Sequence, residues 1–195
     1  MAEPAKRNAT YEDLKAVPPH LTAEIVFGAL YTHPKPAPPN GNAQFSLGGE
    51  LAGPFQKGRG GPGGWWFVSE PELHLGPHVI APDLAGWRKE RLPHAPTSAY
   101  VSVPPDWVCE IISPSTERVD RGPKRRIYAT YGVGHLWHLN PVERYLEIYA
   151  LKDQQWVLVD TFDGDGEQRL PPFEAIAIRL ADLWPLPPAP EPNAL

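Results

Sequence analysis

The chain has 195 residues, of which 42% are hydrophobic, and a formal net charge of -5. This length and composition predict one domain with a sizeable core, and the acidic charge argues against a protein that coats nucleic acid nonspecifically. A single cysteine excludes a disulfide framework and a thiolate metal cluster, and 26 prolines with 17 glycines argue against a helical bundle.

The ends of the chain differ in composition from its middle. We expect residues 1–10 to be disordered, residues 11–184 to form the single domain, and the proline-rich tail 185–195 to be extended or disordered. No run of about 18 apolar residues occurs, and the first residues lack the apolar region of a secretory signal. We therefore expect a soluble, cytoplasmic protein with no membrane partner.

Hydrophobic spacing predicts the elements of the first half of the chain. A short helix is expected over 11–16, a strand or hairpin over 23–31 and a helix over 42–55. Aromatic and β-branched residues then favour three strands, near 65–70, 72–75 and 83–87. Residues 91–106 are expected to form a loop.

The second half begins with an apolar strand over 107–112. A helix is expected over 123–131, because Pro123 suits a first helical turn and Gly132 suits a helix end. Three further segments alternate in the manner of an antiparallel meander, 135–139, 144–151 and 155–162. Residues 175–180 are a candidate edge strand.

Glu110 is the most informative residue of the chain. It shares one face of its strand with Val108 and Ile112, so a carboxylate lies on a largely apolar surface. An unpaired buried carboxylate is costly or takes up a proton, and the fold should therefore supply a cation. The nearby candidates are a metal shared with Asp83, which opens another apolar segment, and Lys124 on the following helix.

Asp83, Glu110 and Lys124 together favour metal-assisted hydrolysis of a phosphodiester. Mg²⁺ prefers carboxylate and water oxygens, and a nearby cation can stabilise the charge that develops on the phosphate. The segment from Arg88 to Arg126 also holds eight basic and five acidic residues, so a modest basic patch could flank the acids. A solvated surface of mixed charge is the commoner explanation of such a segment.

A longer pattern contains these residues. Pro82-Asp83, then Glu110-Ile-Ile-Ser-Pro-Ser-Thr116, then Asp120, Lys124 and Tyr128, resembles the Uma-two family of restriction-endonuclease-like proteins, over about 24–184. That family is placed in the PD-(D/E)xK nuclease superfamily. The resemblance implies an α/β fold with a mixed, curved central β-sheet flanked by helices.

The resemblance also implies a function, a metal-dependent endonuclease acting on DNA. Asp83, Glu110 and Lys124 would be catalytic, and Asp83, Glu110 and Glu24 would hold Mg²⁺ or Mn²⁺. The superfamily pattern places a lysine two residues after the glutamate, where this chain has Ile112. Members of the family take the lysine from the following helix, which corresponds to Lys124. A homodimer is expected for cleavage of both strands.

Several residues have structural alternatives. A salt bridge explains Glu24 as well as metal binding does. Ser113 and Asp120 are expected to shape the turn and cap the helix, and Tyr128 to pack with a polar tip.

Two other accounts of the whole site stay open. The chain could be a catalytically inactive nuclease fold that serves as a binding or interaction module, which the acidic charge and the displaced lysine favour. The acids could also form a structural cluster, with Arg88 or Arg121 paired to Glu110.

Overall fold

The computed structural model of the chain describes residues 4–186. The strands in that range are β1 (Lys6–Arg7), β2 (Leu21–Val26), β3 (Ala29–Pro34), β4 (Trp65–Ser69), β5 (Leu73–Leu75), β6 (His78–Ile80), β7 (Leu84–Arg88), β8 (Trp107–Ile111), β9 (His135–Asn140), β10 (Tyr145–Lys152), β11 (Gln155–Asp163), β12 (Glu167–Gln168) and β13 (Ile178–Arg179). The prediction for the tail concerns mostly residues 187–195, which lie outside the described residues.

Helices are few and short in this part of the chain. They are α1 (Tyr11–Lys15), α2 (Pro38–Leu51), α3 (Glu117–Val119) and α4 (Arg125–Thr130), with π-helical turns over Ala52–Gln56 and Asp120–Lys124 and a 3-10 turn over Leu180–Leu183. Between residues 4 and 186, no helix is both long enough and apolar enough to cross a membrane.

A six-stranded mixed sheet forms the centre of the molecule. Its strand order is β11-β10-β9-β8-β7-β4, and β8 and β9 run parallel while the other neighbours run antiparallel. The predicted meander is confirmed by the antiparallel pairing of β9, β10 and β11. The parallel pair needs a crossover connection, and the helical segment between β8 and β9 provides it.

Strand β8 is buried on both faces, and its side chains alternate between two hydrophobic clusters. Trp107, Cys109 and Ile111 pack on one side, together with the apolar face of α2. Val108 packs on the other side, with Ile127 of α4. Glu110 shares the face of Val108 because strand side chains repeat every two residues, so the carboxylate points toward the helical segment.

A second, antiparallel sheet covers the same face, with strand order β1-β3-β2-β6-β5. Val26, Leu73 and Ile80 of this sheet belong to the hydrophobic cluster that contains Val108. Strand β6, which the sequence did not predict, is only three residues long. This sheet places Glu24 of β2 opposite the strand that carries Glu110.

The helical segment after β8 runs without interruption from residue 117 to residue 130. The prediction that it begins at Pro123 was wrong by six residues. Proline lacks the backbone N–H of an α-helical turn, and here it lies inside the π-helical turn Asp120–Lys124, a local widening that lets the helix continue.

The prediction of a disordered N-terminus was wrong for the residues that can be described. Lys6–Arg7 pairs with the open edge of β3, where the Ala5 N–H donates to the Leu30 carbonyl at 2.7 Å. Lys6 Nζ also lies 2.6 Å from Asp13 Oδ1. An unpaired strand edge offers backbone groups to any nearby segment, and this segment satisfies them.

Candidate active site

The Lys124 ammonium group lies at the centre of a group of carboxylates. Its Nζ is 2.9 Å from Glu110 Oε1, 3.0 Å from Glu24 Oε1 and 3.1 Å from Asp120 Oδ1. These four residues are only 1–3% exposed. An ammonium group has three N–H donors, so the three carboxylates engage all of them. With Asp83, we call this group the acidic cluster.

Three elements bring the cluster together. Asp120 and Lys124 are four residues apart in the helical segment and therefore share one of its faces. Glu110 comes from β8, and Glu24 from β2 in the second sheet. The Ala81 N–H, just after β6, donates to Glu24 Oε1 at 2.8 Å and holds that carboxylate in place.

Asp83 lies at the start of β7, beside the end of β8. The two strands are adjacent, with Leu84 opposite Cys109, and the Ile111 N–H donates to Asp83 Oδ2 at 2.7 Å. Burial raises the pKa of Asp83 to about 7, although the hydrogen bond from Ile111 and the charge of Lys124 act to lower it. At neutral pH this carboxyl is therefore poised between its two protonation states.

Glu110 has two partners on the helical segment, since the Tyr128 hydroxyl and Lys124 Nζ both contact its Oε1. Burial raises the pKa of Glu110 well above its usual range, against the opposing effect of Lys124. Burial also acts to lower the pKa of Lys124, but the carboxylates of Glu110, Glu24 and Asp120 outweigh it and leave that pKa well above its ordinary value. The ammonium therefore stays charged.

The charges of the cluster do not balance. Four carboxylates face the ammonium of Lys124, so with every carboxylate ionised three negative charges are left over. His33 Nε2 lies 3.9 Å from Glu24 Oε2 and can offset one of them only when it is protonated. Buried carboxylates repel one another when ionised and so raise one another's pKa. A bound cation would relieve this repulsion.

A pocket of about 350 Å³ opens onto the cluster. Asp83, Glu110, Asp120 and Lys124 line it, whereas Glu24 does not. One wall comes from the turn 113–116. Asn40 of α2 also lines the pocket and fixes the end of β8, because its Nδ2 donates to the Ile111 and Ile112 carbonyls at 3.2 and 3.3 Å. The buried acids are thus reachable from solvent.

A protein-family model named Uma2, described as "Putative restriction endonuclease", matches residues 9–181, which is most of the chain. The chain belongs to the Uma2 family. This confirms the resemblance inferred from the sequence. No curated protein matches the chain at a significant level.

A solved structure from Anabaena variabilis ATCC 29413, described as "a putative nuclease belonging to DUF820", has a similar fold. Its TM-score is 0.72, at 19% sequence identity, over 90% of this chain and 97% of that chain. The match supports the predicted restriction-endonuclease-like α/β fold of this Uma2 chain. At this identity it shows the fold alone.

The Uma2 chain offers two pocket-lining carboxylates, Asp83 and Glu110, on adjacent strands. Within residues 4–186, no group of three or more His, Cys, Asp or Glu side chains is arranged to hold a metal ion. The reason is visible in the cluster, where Lys124 stands at the point on which Glu24, Glu110 and Asp120 converge. Mg²⁺ is commonly held by one or two carboxylates, with water and substrate phosphates as its other ligands. Asp83 and Glu110 suit that arrangement because they line the pocket, whereas Glu24 does not line it.

The lysine of this Uma2 chain reaches the site from the helix. Ile112, two residues after Glu110, is buried at 3% exposure and provides no cation. Lys124 Nζ takes its place beside Glu110.

The alternative in which an arginine satisfies Glu110 is not what the Uma2 chain shows. Arg121 is 2.5 Å from Glu147 and 3.0 Å from Glu117. Arg88 lies over the ring of Trp65 at 4.6 Å.

Two supporting residues differ in role. Ser113 shapes the turn as expected, because its Oγ lies 3.0 Å from the hydroxyls of Ser115 and Thr116. The prediction that Asp120 caps a helix was wrong. The helical segment begins at Glu117, so Asp120 lies inside it and not before its first residue, and its side chain pairs with Lys124 instead.

His138 was missed by the sequence analysis. It lies on β9 directly across from Glu110 and is fully buried, and among the described residues neither ring nitrogen has a hydrogen-bond partner. Its Nδ1 is 3.7 Å from Glu147 Oε2, too long for a hydrogen bond. Burial lowers its pKa, so the ring is neutral at pH 7. Only the strand register, which the sequence does not display, brings it beside the cluster.

Proposed function

We propose that this Uma2 chain is a divalent-metal-dependent endonuclease that hydrolyses phosphodiester bonds of DNA. The observation that carries the proposal is the acidic cluster, in which four carboxylates face one ammonium beside an open pocket. The descriptions of the family and of the similar Anabaena structure both name nucleases, which supports this class of reaction.

Asp83 and Glu110 would hold Mg²⁺ or Mn²⁺. One oxygen of each carboxylate is already engaged, Asp83 Oδ2 by the Ile111 N–H and Glu110 Oε1 by Lys124, so the other oxygen of each is the ligand. When bound, such an ion lowers the pKa of a coordinated water and offsets negative charge on the reacting phosphate. The hydrogen bond from the rigid strand β8 keeps Asp83 aimed at the pocket.

Lys124 acts first as a positioning residue. Its three donors hold Glu110, Glu24 and Asp120, so it can donate to a phosphate oxygen only after one of these contacts is given up. Glu110 is the carboxylate placed to change partner, because the Tyr128 hydroxyl also contacts it and, unlike Glu24, it lines the pocket. Release of Glu110 would turn one Lys124 N–H toward the pocket.

Protonation of Asp83 sets the pH range of the site. Its pKa of about 7 means that part of the population carries a proton at neutral pH, and a metal ligand has to be deprotonated. Metal affinity should therefore rise with pH through about 7 as Asp83 loses its proton, and the raised pKa of Glu110, the other proposed ligand, acts in the same direction.

A catalytically inactive binding module is the second candidate. Two observations favour it, the full engagement of the Lys124 donors and the presence of Ile112 where the superfamily pattern has lysine. Such a module should keep its ligand when Asp83 is replaced by alanine.

The proposal also includes a homodimer, a single domain that contains residues 11–184 together with strand β1, and a cytoplasmic location. Each acidic cluster would provide one cleavage centre, and a duplex cut in both strands needs two. Light scattering on the purified chain, with and without DNA, tests the dimer directly.

Nicking of supercoiled plasmid in Mg²⁺ or Mn²⁺ tests the proposal. We expect the wild type to convert supercoiled DNA to open circles, and Asp83→Asn and Glu110→Gln to lose about 100-fold or more of that rate, since even residues behind the ligands of a metal site matter 10–100-fold. Glu167→Gln, an exposed carboxylate on β12, is the matched control and should keep the wild-type rate. Equal rates in all variants would point to a contaminating nuclease and overturn the proposal.

A further inference from the structure

A second cavity, of about 610 Å³, lies beside the acidic cluster. Strand β1 contributes Arg7, the turn between β2 and β3 contributes Phe27, and the helical segment contributes Arg118 and Arg126. We call these four residues the arginine pocket. The mechanism above does not use any of them.

The arginine pocket is positively charged, although the chain carries a net charge of -5. Three arginines line it, and among residues 4–186 none of those that line it is acidic. Arg7, Arg118 and Arg126 are all exposed side chains. Arginine presents a planar fork of donors that matches phosphate oxygens, so a concave surface of this composition suits a polyanion.

Phe27 adds an aromatic surface to the pocket. Its side chain is 55% exposed, and the Arg126 guanidinium lies 5.3 Å from the centre of its ring. The two-residue turn Phe27-Gly28 has positive φ at both positions, 49° and 72°, a geometry that favours Asn-Gly and disfavours a bulky residue. The turn thus holds the exposed Phe27 ring against its backbone preference, beside the Arg126 guanidinium. Such a ring is suited to stacking on an unpaired base.

The arginine pocket and the pocket above the acidic cluster are neighbours, with a small cleft of about 10 Å³ between them. This cleft, which contains Glu24, shares Tyr31 and Val119 with the arginine pocket, and it shares His33 and Thr116 with the pocket above the acidic cluster. The same two elements contribute to the acidic cluster and to the arginine pocket. Strand β2 bears Glu24 and leads into Phe27, and the helical segment bears Arg118 and Arg126 as well as Lys124.

The separation suits a nucleic-acid strand. Arg118 and Lys124 are six residues apart in the helical segment, so they lie no more than about 9 Å apart along its axis at the α-helical rise of 1.5 Å per residue. One strand of nucleic acid spans that distance within a few nucleotides. We propose, on the basis of the function proposed above, that the arginine pocket binds the backbone of a single-stranded DNA segment flanking the phosphate at the acidic cluster, with Phe27 stacked on one of its bases.

Binding of labelled single-stranded DNA, measured by fluorescence anisotropy in EDTA at several salt concentrations, tests this inference without cleavage. Arg118→Gln/Arg126→Gln should weaken binding at least 10-fold and lower the slope of log affinity against log salt by about 1.4, since each lost phosphate contact on a single strand contributes about 0.7. The control Arg59→Gln/Arg179→Gln removes the same charge from exposed positions outside the pocket and should leave the slope unchanged.

Phe27→Asn separates recognition from folding. Asparagine suits the turn better than phenylalanine, which offsets the loss of the contact between the Phe27 and His78 rings, 4.8 Å between centroids, so the variant should stay folded. It should bind single-stranded DNA about 5-fold or more weakly because a stacking partner is lost. A variant that binds as tightly as the wild type would overturn the assignment of Phe27.

The outcomes distinguish this inference from the proposed function. Binding that depends on the two arginines, in a protein that never nicks DNA, would uphold the arginine pocket and reject the nuclease. Wild-type affinity in the arginine variant, no binding of DNA by the wild type, or arginine-dependent binding to vesicles of phosphatidylcholine and phosphatidylserine in place of DNA would each overturn the inference.

Discussion

Replacement of Asp83 by asparagine should make the metal-free protein more stable at alkaline pH, although it removes a proposed metal ligand. The folded chain holds the Asp83 pKa at about 7, against an ordinary value of 3.8, because burial disfavours the charge. As pH rises from about 4 to about 7, the unfolded chain loses this proton while the folded chain keeps it. Wild-type stability therefore falls across that window and changes no further, through Asp83, above it.

The magnitude follows from the size of the shift. About three pKa units at about 1.36 kcal/mol each give about 4 kcal/mol as an upper bound. Asp83 keeps part of its surface in the open pocket, where water reduces this penalty. Asparagine can still accept the Ile111 N–H, but its amide N–H groups need partners of their own. We expect a net gain of about 1–3 kcal/mol in the free energy of unfolding.

Urea denaturation in EDTA between about pH 4 and pH 8.5 measures the effect. The difference between Asp83→Asn and wild type should increase up to about pH 7 and then stay constant. The exposed replacement Asp163→Asn is the control for the general effect of removing one carboxylate. Parallel pH curves for Asp83→Asn and wild type would refute the reasoning, because they would mean that Asp83 ionises in the folded chain as easily as in the unfolded one.

Lys124→Met should lower the free energy of unfolding by about 3–5 kcal/mol in urea denaturation at about pH 8, because it leaves buried carboxylates without their cation. The exposed control Lys152→Met should change it by under about 0.5 kcal/mol, and equal effects of the two replacements would argue against the cluster. His138→Leu should stabilise the fold by about 1 kcal/mol at pH 7 in urea denaturation, since two unpaired buried nitrogens are removed. The gain should be larger below about pH 6.5, where the unfolded wild type takes up a proton that the buried ring resists. A lower stability of the variant would reveal an essential partner of His138. Gly86→Ala should destabilise the fold by about 1–3 kcal/mol and so lower its thermal midpoint, because the added Cβ would lie 2.7 Å from the Phe67 ring. An unchanged midpoint would mean that the ring moves aside freely.

Strand alternation was enough to locate the centre of the site. The placement of Glu110 among Val108 and Ile112 predicted a buried acid in need of a cation, and Lys124 lies 2.9 Å from it. Asp83 was expected to open another apolar segment and to share a metal with Glu110, and β7 does pair with β8. The burial of Glu110 depends on the two-residue period of a strand, which a sequence displays directly.

Other features depend on information that a single sequence does not display. The helix was expected to begin at Pro123 because proline usually occupies a first turn, and the π-helical turn that accommodates it depends on packing. That error also misassigned Asp120 as a cap. His138 comes beside Glu110 only through the parallel register of β8 and β9, and such pairing between distant segments is decided by the tertiary fold.

The most direct test of the account is a calorimetric titration of Mn²⁺ into the wild type and Glu110→Gln, at about pH 6 and about pH 8. Wild-type protein should bind Mn²⁺ saturably and more tightly at the higher pH, because Asp83 must lose its proton to hold the ion. Glu110→Gln should bind at least 10-fold more weakly at both pH values. Wild-type protein that binds no Mn²⁺ at either pH would contradict the account and leave the acidic cluster as a structural ion pair held by Lys124.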